Sequence, residues 1–384
     1  MSDIANRFVE NPLLKPSDIR PSSPGLKVEC LLNPGVFRFD GKVWLLLRVA
    51  ERPVQKPGKV SFPVMVNDKI KILEFDAKDP DLDTSDPREY KYKGVGYLST
   101  LSHLRLVCSD DGVMFHDPGL PPICGKGPHE NFGIEDCRVS TMPDGEYLLT
   151  YTAVSDNGYG VGLRRTRDWK TFEHCGMITL PPNKDCAIFE EKVNGQYICF
   201  SRPSGIIVGG HYIWLSRSPD LHCWGDHICV AKPRPGRWDS ARIGAGAAPI
   251  RTSRGWLEIY HGATNDNRYC LGAMLLDLKE PWKVLARSED PIMEPAAAYE
   301  KVGFFGNVVF TNGHVVDGDR LTVYYGASDS VICGARFSIS QILASLLSGK
   351  SAGMSDSYVE IDGSCSAKAD LGQPLTRRPE PVLN

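Results

Sequence analysis

Thr166-Arg167-Asp168-Trp169-Lys170-Thr171-Phe172 is a short turn that carries an aspartate and then aromatic residues, and the chain repeats it. Ser109-Asp110-Asp111-Gly112-Val113-Met114-Phe115 precedes it, and Ser218-Pro219-Asp220-Leu221-His222-Cys223-Trp224 follows. An aspartate in such a turn can bond its own backbone two residues on. The aromatic can then pack between neighbouring sheets. Around these turns a β-type run of aromatic and branched residues recurs five times, at 43–49 (VWLLLRV), 146–153 (EYLLTYTA), 196–202 (QYICFSR), 256–263 (WLEIYHGA) and 321–327 (LTVYYGA). A second strand is expected after most of them, at 160–165, 212–217, 269–277 and 331–339. Helical signal is confined to 340–347, with Ser340 as N-cap and Gly349 as stop. Repeated antiparallel sheets with so little helix predict an all-β chain, a five-bladed β-propeller with short terminal arms and one short C-terminal helix. A β-sandwich is the alternative, but it does not predict the repeated turn. The expected division is an N-terminal arm over 1–25, a propeller over 26–349 and a disordered tail over 350–384, because both ends are rich in Ser, Pro and Gly.

Composition narrows the function. The 384 residues are 42% hydrophobic and 24% charged, an ordinary soluble globular profile. A net charge of -3 gives no reason to expect nucleic acid or an anionic membrane as partner. No apolar run approaches a membrane span, and residues 1–11 carry Asp3, Arg7 and Glu10 where a secretory signal would be apolar. The twelve cysteines stand singly, with no CxxC pair and no Cys/His run at metal-ligand spacing. Buried free thiols in a reducing cytoplasm are the expectation, with no metal and no cofactor. A homo-oligomer is compatible with all of this.

The segment His129-Glu130-Asn131-Phe132-Gly133-Ile134-Glu135-Asp136-Cys137-Arg138 sets two adjacent carboxylates and an arginine just before the run at 146–153. Acid catalysis needs a carboxyl group with a raised pKa and a nearby cation to set the charge balance. A surface turn with an Asp–Arg ion pair would explain the same residues. In a propeller, strand ends converge on one pocket, so the polar residues interrupting each run should face each other. These are Arg48 and Glu51, Asp136 and Arg138, Tyr151, Arg202, Glu258 and His261, and Asp329. Such a set suits a polyhydroxylated ligand. Glu135, Asp185 and Asn307 complete the candidate substrate-binding group. A second subset is cationic: Lys184, Arg202 and Arg242, the last ahead of Gly244-Ala245-Gly246-Ala247-Ala248-Pro249, where small residues let backbone approach a ligand. Three cations without evident acidic partners suggest an anion site, phosphate above all. Structural pairs with Glu190, Glu191 or Asp239 are the alternative.

FGIEDCR (132–138), NKDCAIFEEK (183–192), RIGAGAAPI (242–250), GWLEIYHGA (255–263), LLDLKEPWKVLARSEDPIMEP (275–295) and YYGASDS (324–330) together resemble glycoside hydrolase family 130. The resemblance covers about residues 30 to 345. It implies a five-bladed propeller acting on β-mannosides with inversion at the anomeric carbon. Most members are phosphorylases that release α-mannose 1-phosphate, and some are hydrolases. The family's proton donor maps to Asp136, which would act through a hydroxyl of the bound mannose. Its phosphate-binding cations map to Lys184, Arg202 and Arg242, and Asp329 maps to a sugar-binding position. The chain departs from many phosphorylases at Ser201, where they carry His, at Arg242, where they carry Lys, and at Glu190, where they carry Pro.

Three readings follow. A phosphorylase needs one carboxylic acid, since phosphate is already a nucleophile. An inverting hydrolase needs a second carboxylate to deprotonate water, with Glu258 the first candidate and Glu190 or Glu191 next; a mannosyltransferase would be a variant on the same acid and cations. A non-catalytic glycan-binding propeller is the third, against which the Glu135-Asp136 pair argues. The expected substrate is a β-1,2-linked manno-oligosaccharide with inorganic phosphate as co-substrate, by motif similarity.

Overall fold

The computed structural model describes residues 3–86, 88–204 and 208–348. They form an all-β structure with two short α-helices, Ala298–Lys301 and Ile339–Ser348. The first large antiparallel sheet holds Leu26–Phe39, Lys42–Pro53 and Leu101–Ser109. The second runs Ile134–Thr141, Tyr147–Ser155, Gly158–Thr166, Glu173–Thr179, and the third Asn183–Ile188, Tyr197–Pro203, Ile213–Ser218, Gly225–Ala231. The fourth runs Arg242–Ala245, Gly255–Ala263, Tyr269–Leu276, Val284–Arg287, with Ile250–Thr252 also on Gly255–Ala263. The fifth runs Val309–Asp317, Arg320–Ala327, Val331–Ser338 and closes on Asn6–Arg7. Two small sheets, Lys59–Val66 with Lys69–Asp76 and Leu82–Asp83 with Glu89–Tyr92 and Val95–Leu98, interrupt the first large sheet.

The five apolar runs are therefore the second strand of each sheet, not the first. The strand before each run is broken by a bulge in four of the five sheets, so its side chains do not alternate and it leaves no clean period-two signal. In Leu26–Phe39 the break falls at Asn33-Pro34-Gly35.

The repeated turn works through its aspartate. Asp168 Oδ1 accepts from Lys170 N and Thr171 N at 2.8 Å, while Trp169 N donates to Thr166 Oγ1. Asp111 and Asp220 make the same pair of bonds. A fourth copy follows Tyr269–Leu276: Asp277 accepts from Lys279 N and Glu280 N. The aromatics do bridge sheets. Trp169 stacks on Phe37 of the first sheet with centroids 3.6 Å apart, and Trp282 lies under Arg217 of the third.

The C-terminal helix begins one residue earlier than expected, at Ile339. Its capping hydroxyl is Ser338, which accepts from Gln341 N at 3.1 Å, whereas Ser340 instead donates to Asp319. Residues 3–25 do not stand apart from the sheets. Asn6 and Arg7 pair with Arg336 and Ala335, and Phe8, Leu14 and Ile19 are buried. The expected tail over 350–384 lies outside the described residues. No helix among the described residues is long and apolar enough to cross a membrane.

Candidate active site

The leading strands of successive sheets are neighbours. Leu26–Phe39 lies beside Ile134–Thr141 and Val309–Asp317; Asn183–Ile188 lies between Ile134–Thr141 and Arg242–Ala245. Their bulges, at Leu32/Gly35, Glu135/Arg138, Lys184/Ala187 and Thr311/Gly313, put Asn33, Asp136, Asp185 and Asn312 on backbone that has left the ladder. A bulge re-aims a side chain. Asp136 and Asp185 pay for theirs with left-handed backbone, φ +47° and +54°, a strain of roughly 1–2 kcal/mol each that Asp tolerates better than most residues. Gly35 permits the close approach of the first two strands, since a Cβ there would sit 2.9 Å from the Cys137 carbonyl.

A cavity of about 320 Å³ opens at these bulges. Its acidic cluster holds Asn33, Arg48, Asp136 and Asp329; its cationic cluster holds Lys184, Asp185, Arg202 and Arg242. Arg48 Nη1 donates to Asp136 Oδ1 (3.1 Å) and its Nη2 to Glu135 Oε1 (2.7 Å). Asn33 Nδ2 also donates to Asp136 Oδ1 (3.2 Å), and Asn312 Nδ2 holds the Asn33 carbonyl (3.1 Å). Burial pushes the Asp136 carboxyl up, but Arg48, Arg138 and Lys184 together hold it below the usual aspartate range. Burial raises Asp329 to about 7, opposed by Arg48 and reinforced by Asp136 and Glu135.

Asp185 is held differently. Its Oδ1 accepts from Arg138 Nη2 (3.1 Å), and its Oδ2 lies 3.1 Å from Arg202 Nη1 and 3.3 Å from His261 Nε2. Burial would raise its pKa, yet Arg202 and Arg138 drive it well below the ordinary value. His261 is fully buried and lowered by burial to about 4, so it is neutral and its Nε2 accepts from Arg202. Lys184 and Arg242 have no acidic partner among the described residues. Lys184 lies over the Tyr159 ring at 5.0 Å; Arg242 lies over Tyr269 at 5.4 Å and donates to Asn267.

Several expected site residues sit elsewhere. Glu51 is fully buried against Ser22 and His103. Tyr151 donates to Glu130 (2.6 Å) in a closed cluster with Arg164. Glu258 is fully buried behind the cavity wall, where its Oε1 accepts from Gly246 N (2.9 Å) and burial raises its pKa well above the carboxylate range. Arg138 is also enclosed. It donates to the carbonyls of Asp136, Ala245 and Gly246 and to the Asp185 carboxylate, and so ties three leading strands together. Asn307 is exposed, with its backbone bonded to Lys301 and Tyr269. Gly244 makes room for the Asp185 carboxylate and the His261 ring, not for a ligand backbone contact. The sequence reading missed Asn33, Tyr269 and Phe310 in the cavity wall. Asn33 had a signal, an Asn-Pro-Gly break inside a β-type stretch; Tyr269 and Phe310 had none beyond their strands.

Comparison with known proteins decides the family. A family model described as beta-1,4-mannooligosaccharide phosphorylase matches residues 96–347. The chain belongs to glycoside hydrolase family 130. It is 44% identical over 347 residues to a beta-1,2-mannobiose phosphorylase of Listeria innocua, covering 88% of this chain and 98% of that one. The solved beta-1,2-mannobiose complex of the Listeria innocua phosphorylase superposes with a TM-score of 0.85 at 42% identity, over 90% of this chain and 99% of that one. A 1,2-beta-oligomannan phosphorylase of Thermoanaerobacter sp. is 40% identical over 241 residues, 62% of this chain and 78% of that one.

Proposed function

We propose that this family 130 enzyme is a β-1,2-mannoside phosphorylase, cleaving the terminal mannosyl unit with inorganic phosphate and releasing α-mannose 1-phosphate. The observation that carries the reading is the partition of charge in the cavity. Lys184, Arg202 and Arg242 share it with Asp136, while Glu258 lies behind its wall. A fully buried carboxyl that does not line the cavity, its charged form disfavoured by burial, is poorly placed to draw a proton from a water there. Glu190 accepts from Thr141 N and Glu191 pairs with Arg251, so neither takes its place.

In this reading the three cations seat phosphate below the anomeric carbon, and Asp136 gives its proton to the departing sugar. The resting carboxyl is ionised because cations surround it. An arriving phosphate dianion offsets that field and raises the proton affinity of Asp136. Nucleophile binding and acid charging are thereby linked. Asn33 and Arg48 fix the carboxylate; Asp185 and His261 fix the Arg202 guanidinium; Asp329 binds a sugar hydroxyl. No step requires a metal. We read the five large sheets as five blades of a propeller, whose leading strands surround this cavity. The free thiols among the described cysteines and a sugar phosphate product suit the cytoplasm. Incubation with β-mannobioses of defined linkage, with and without phosphate, tests the reading: α-mannose 1-phosphate from the 1,2-linked isomer in phosphate alone supports it, and free mannose without phosphate contradicts it.

A further inference from the structure

The wall that carries Asp329 is held from outside the cavity. Phe304, Phe305 and Val308 line the cavity, and they belong to the loop that follows the short helix Ala298–Lys301. This loop interlocks with the turn at 328–330. The Val308 carbonyl accepts from Ser328 N (3.0 Å), and the Ser328 carbonyl accepts from Phe305 N (3.1 Å). Phe304 N donates to Ser330 Oγ (2.7 Å). Ser328 and Asp329 both have left-handed backbone, φ +47° and +48°, so the turn keeps its shape only while its neighbours hold it. Glu300 joins these parts. Its fully buried Oε1 accepts from Tyr325 OH (2.7 Å), on the strand that leads into the turn, and from Arg7 Nε (2.7 Å). Its Oε2 accepts from Ala296 N (2.7 Å), Ala297 N (2.9 Å) and Arg7 Nη2 (3.2 Å), and its carbonyl from Val308 N (3.0 Å). Among the described residues, Arg7 is the cation paired with this carboxylate. It stands at the other end of the chain, in the edge strand Asn6–Arg7, where it also donates to the Glu294 carbonyl (2.7 Å) and to Asp3 (3.0 Å).

We propose that Arg7 is a positioning residue for the mannoside side of the cavity: acting through Glu300, it holds the loop over 302–308 and the Asp329 turn in place opposite Asp136. The inference rests on the phosphorylase reading above, in which Asp329 binds a sugar hydroxyl. A buried carboxylate stripped of its cation carries an uncompensated charge, which the protein relieves by shifting the groups around it. Here those groups are Tyr325 and the backbone of 296–308, so the disturbance reaches the Asp329 turn within two hydrogen-bonded steps. The phosphate side is less exposed to it. Lys184 and Arg202 stand on the third sheet, and Arg242 meets this path through Tyr269, whose N donates to the Asn307 carbonyl (3.0 Å) while its ring lies under the guanidinium. The N-terminal arm thereby acts on one substrate more than on the other.

The test is phosphorolysis of β-1,2-mannobiose, each substrate varied in turn, by the full-length enzyme and its Arg7→Met, Arg7→Lys and Arg7→Met/Glu300→Gln variants. Arg7→Met should raise KM for mannobiose by about five- to tenfold, the size of effect that a contiguous network carries. Its kcat and its KM for phosphate should stay within about twofold of wild type. Arg7→Lys keeps the charge with fewer bonds and should show a smaller rise in the same direction. The double variant has no unpaired carboxylate, so its KM for mannobiose should return towards wild type. An unchanged KM for mannobiose in Arg7→Met, an equal rise for both substrates, or no recovery in the double variant overturns the proposal. Should Arg7→Met fail to fold, Arg7→Lys and the double variant decide the same question: both must raise KM for mannobiose more than KM for phosphate, and equal changes reject the role. If wild type does not phosphorolyse mannobiose, the underlying reading has failed instead. Calorimetric titration of mannobiose into wild type and Arg7→Lys then judges the positioning role alone: equal affinities reject it and a weaker variant upholds it.

Discussion

Asp136 and Asp185 occupy equivalent places on successive leading strands, each at a bulge and each with left-handed backbone. Their surroundings differ. Asp136 shares one oxygen between Arg48 and Asn33 and borders open space. Asp185 is clamped by Arg138 and Arg202 and is 1% exposed. The same local geometry therefore serves two ends. A carboxylate with a single ion-pair partner at the cavity surface can gain a proton when the field around it changes. A carboxylate held by two guanidinium groups cannot, and instead fixes the direction of a cation. The contrast teaches that backbone strain marks where a side chain is aimed, while its partners decide whether it reacts.

The largest effect should come from the open partner. Asp136→Asn should lower turnover of natural mannosides by about a thousandfold or more, in the range of a lost general acid. Its melting temperature and mannoside affinity should stay near wild type. Activity close to normal would move the acid to another residue and erase the contrast. Asp185→Asn should behave oppositely. Removing one member of a buried ion-pair cluster costs about 3–5 kcal/mol of stability, so thermal denaturation should show a clear loss, together with a raised KM for phosphate as Arg202 loses its anchor. A variant as stable as wild type would show that the clamp is not structural.

Arg242→Ala should reduce kcat/KM for phosphate by about ten- to a hundredfold, the worth of one charged hydrogen bond. The KM for mannoside should change little, which steady-state kinetics with each substrate varied in turn would reveal. Glu258→Gln should be the mildest variant in turnover. Burial already disfavours its charged form, and glutamine keeps an acceptor for Gly246 N. Loss of activity there would favour water activation.

A pH effect sharpens the acidic cluster. The carboxyl of Asp329 is raised to about 7 in the folded protein, against roughly 3.9 in an unfolded chain. The folded state therefore binds more protons between those values. The stability this supplies is complete below about pH 4 and is lost as pH rises through about 7. Asp329→Asn removes the titration, so its melting temperature should fall less between pH 5 and pH 8 than that of wild type. Parallel curves would mean that Asp329 is not proton-bound at neutral pH.

Much of this was legible in the chain. The five runs matched the second strands to within a few residues, and Asp111, Asp168 and Asp220 make the turns their spacing implied. The leading strands were not legible, because bulges at Asn33, Asp136, Asp185 and Asn312 destroy the alternation that marks a strand. That is why Glu51, Tyr151 and Glu258, which lie on the legible second strands, were expected in the cavity and are enclosed elsewhere. Arg138 was expected to touch substrate. Its enclosure depends on carbonyls more than a hundred residues away, which no local pattern records. The cations Lys184, Arg202 and Arg242 were grouped because none had an evident acidic partner; all three line the cavity, although Arg202 pairs with Asp185.

The division of labour between the open carboxylate and the cations can be tested in one assay, cleavage of 2,4-dinitrophenyl β-mannoside by Asp136→Asn with and without phosphate. This leaving group departs as a stable phenolate and needs no proton. The account predicts that the variant releases the phenol at a rate near wild type, in phosphate only, while remaining inactive on β-1,2-mannobiose. Equal loss on both substrates, or phenol release that does not depend on phosphate, would contradict it.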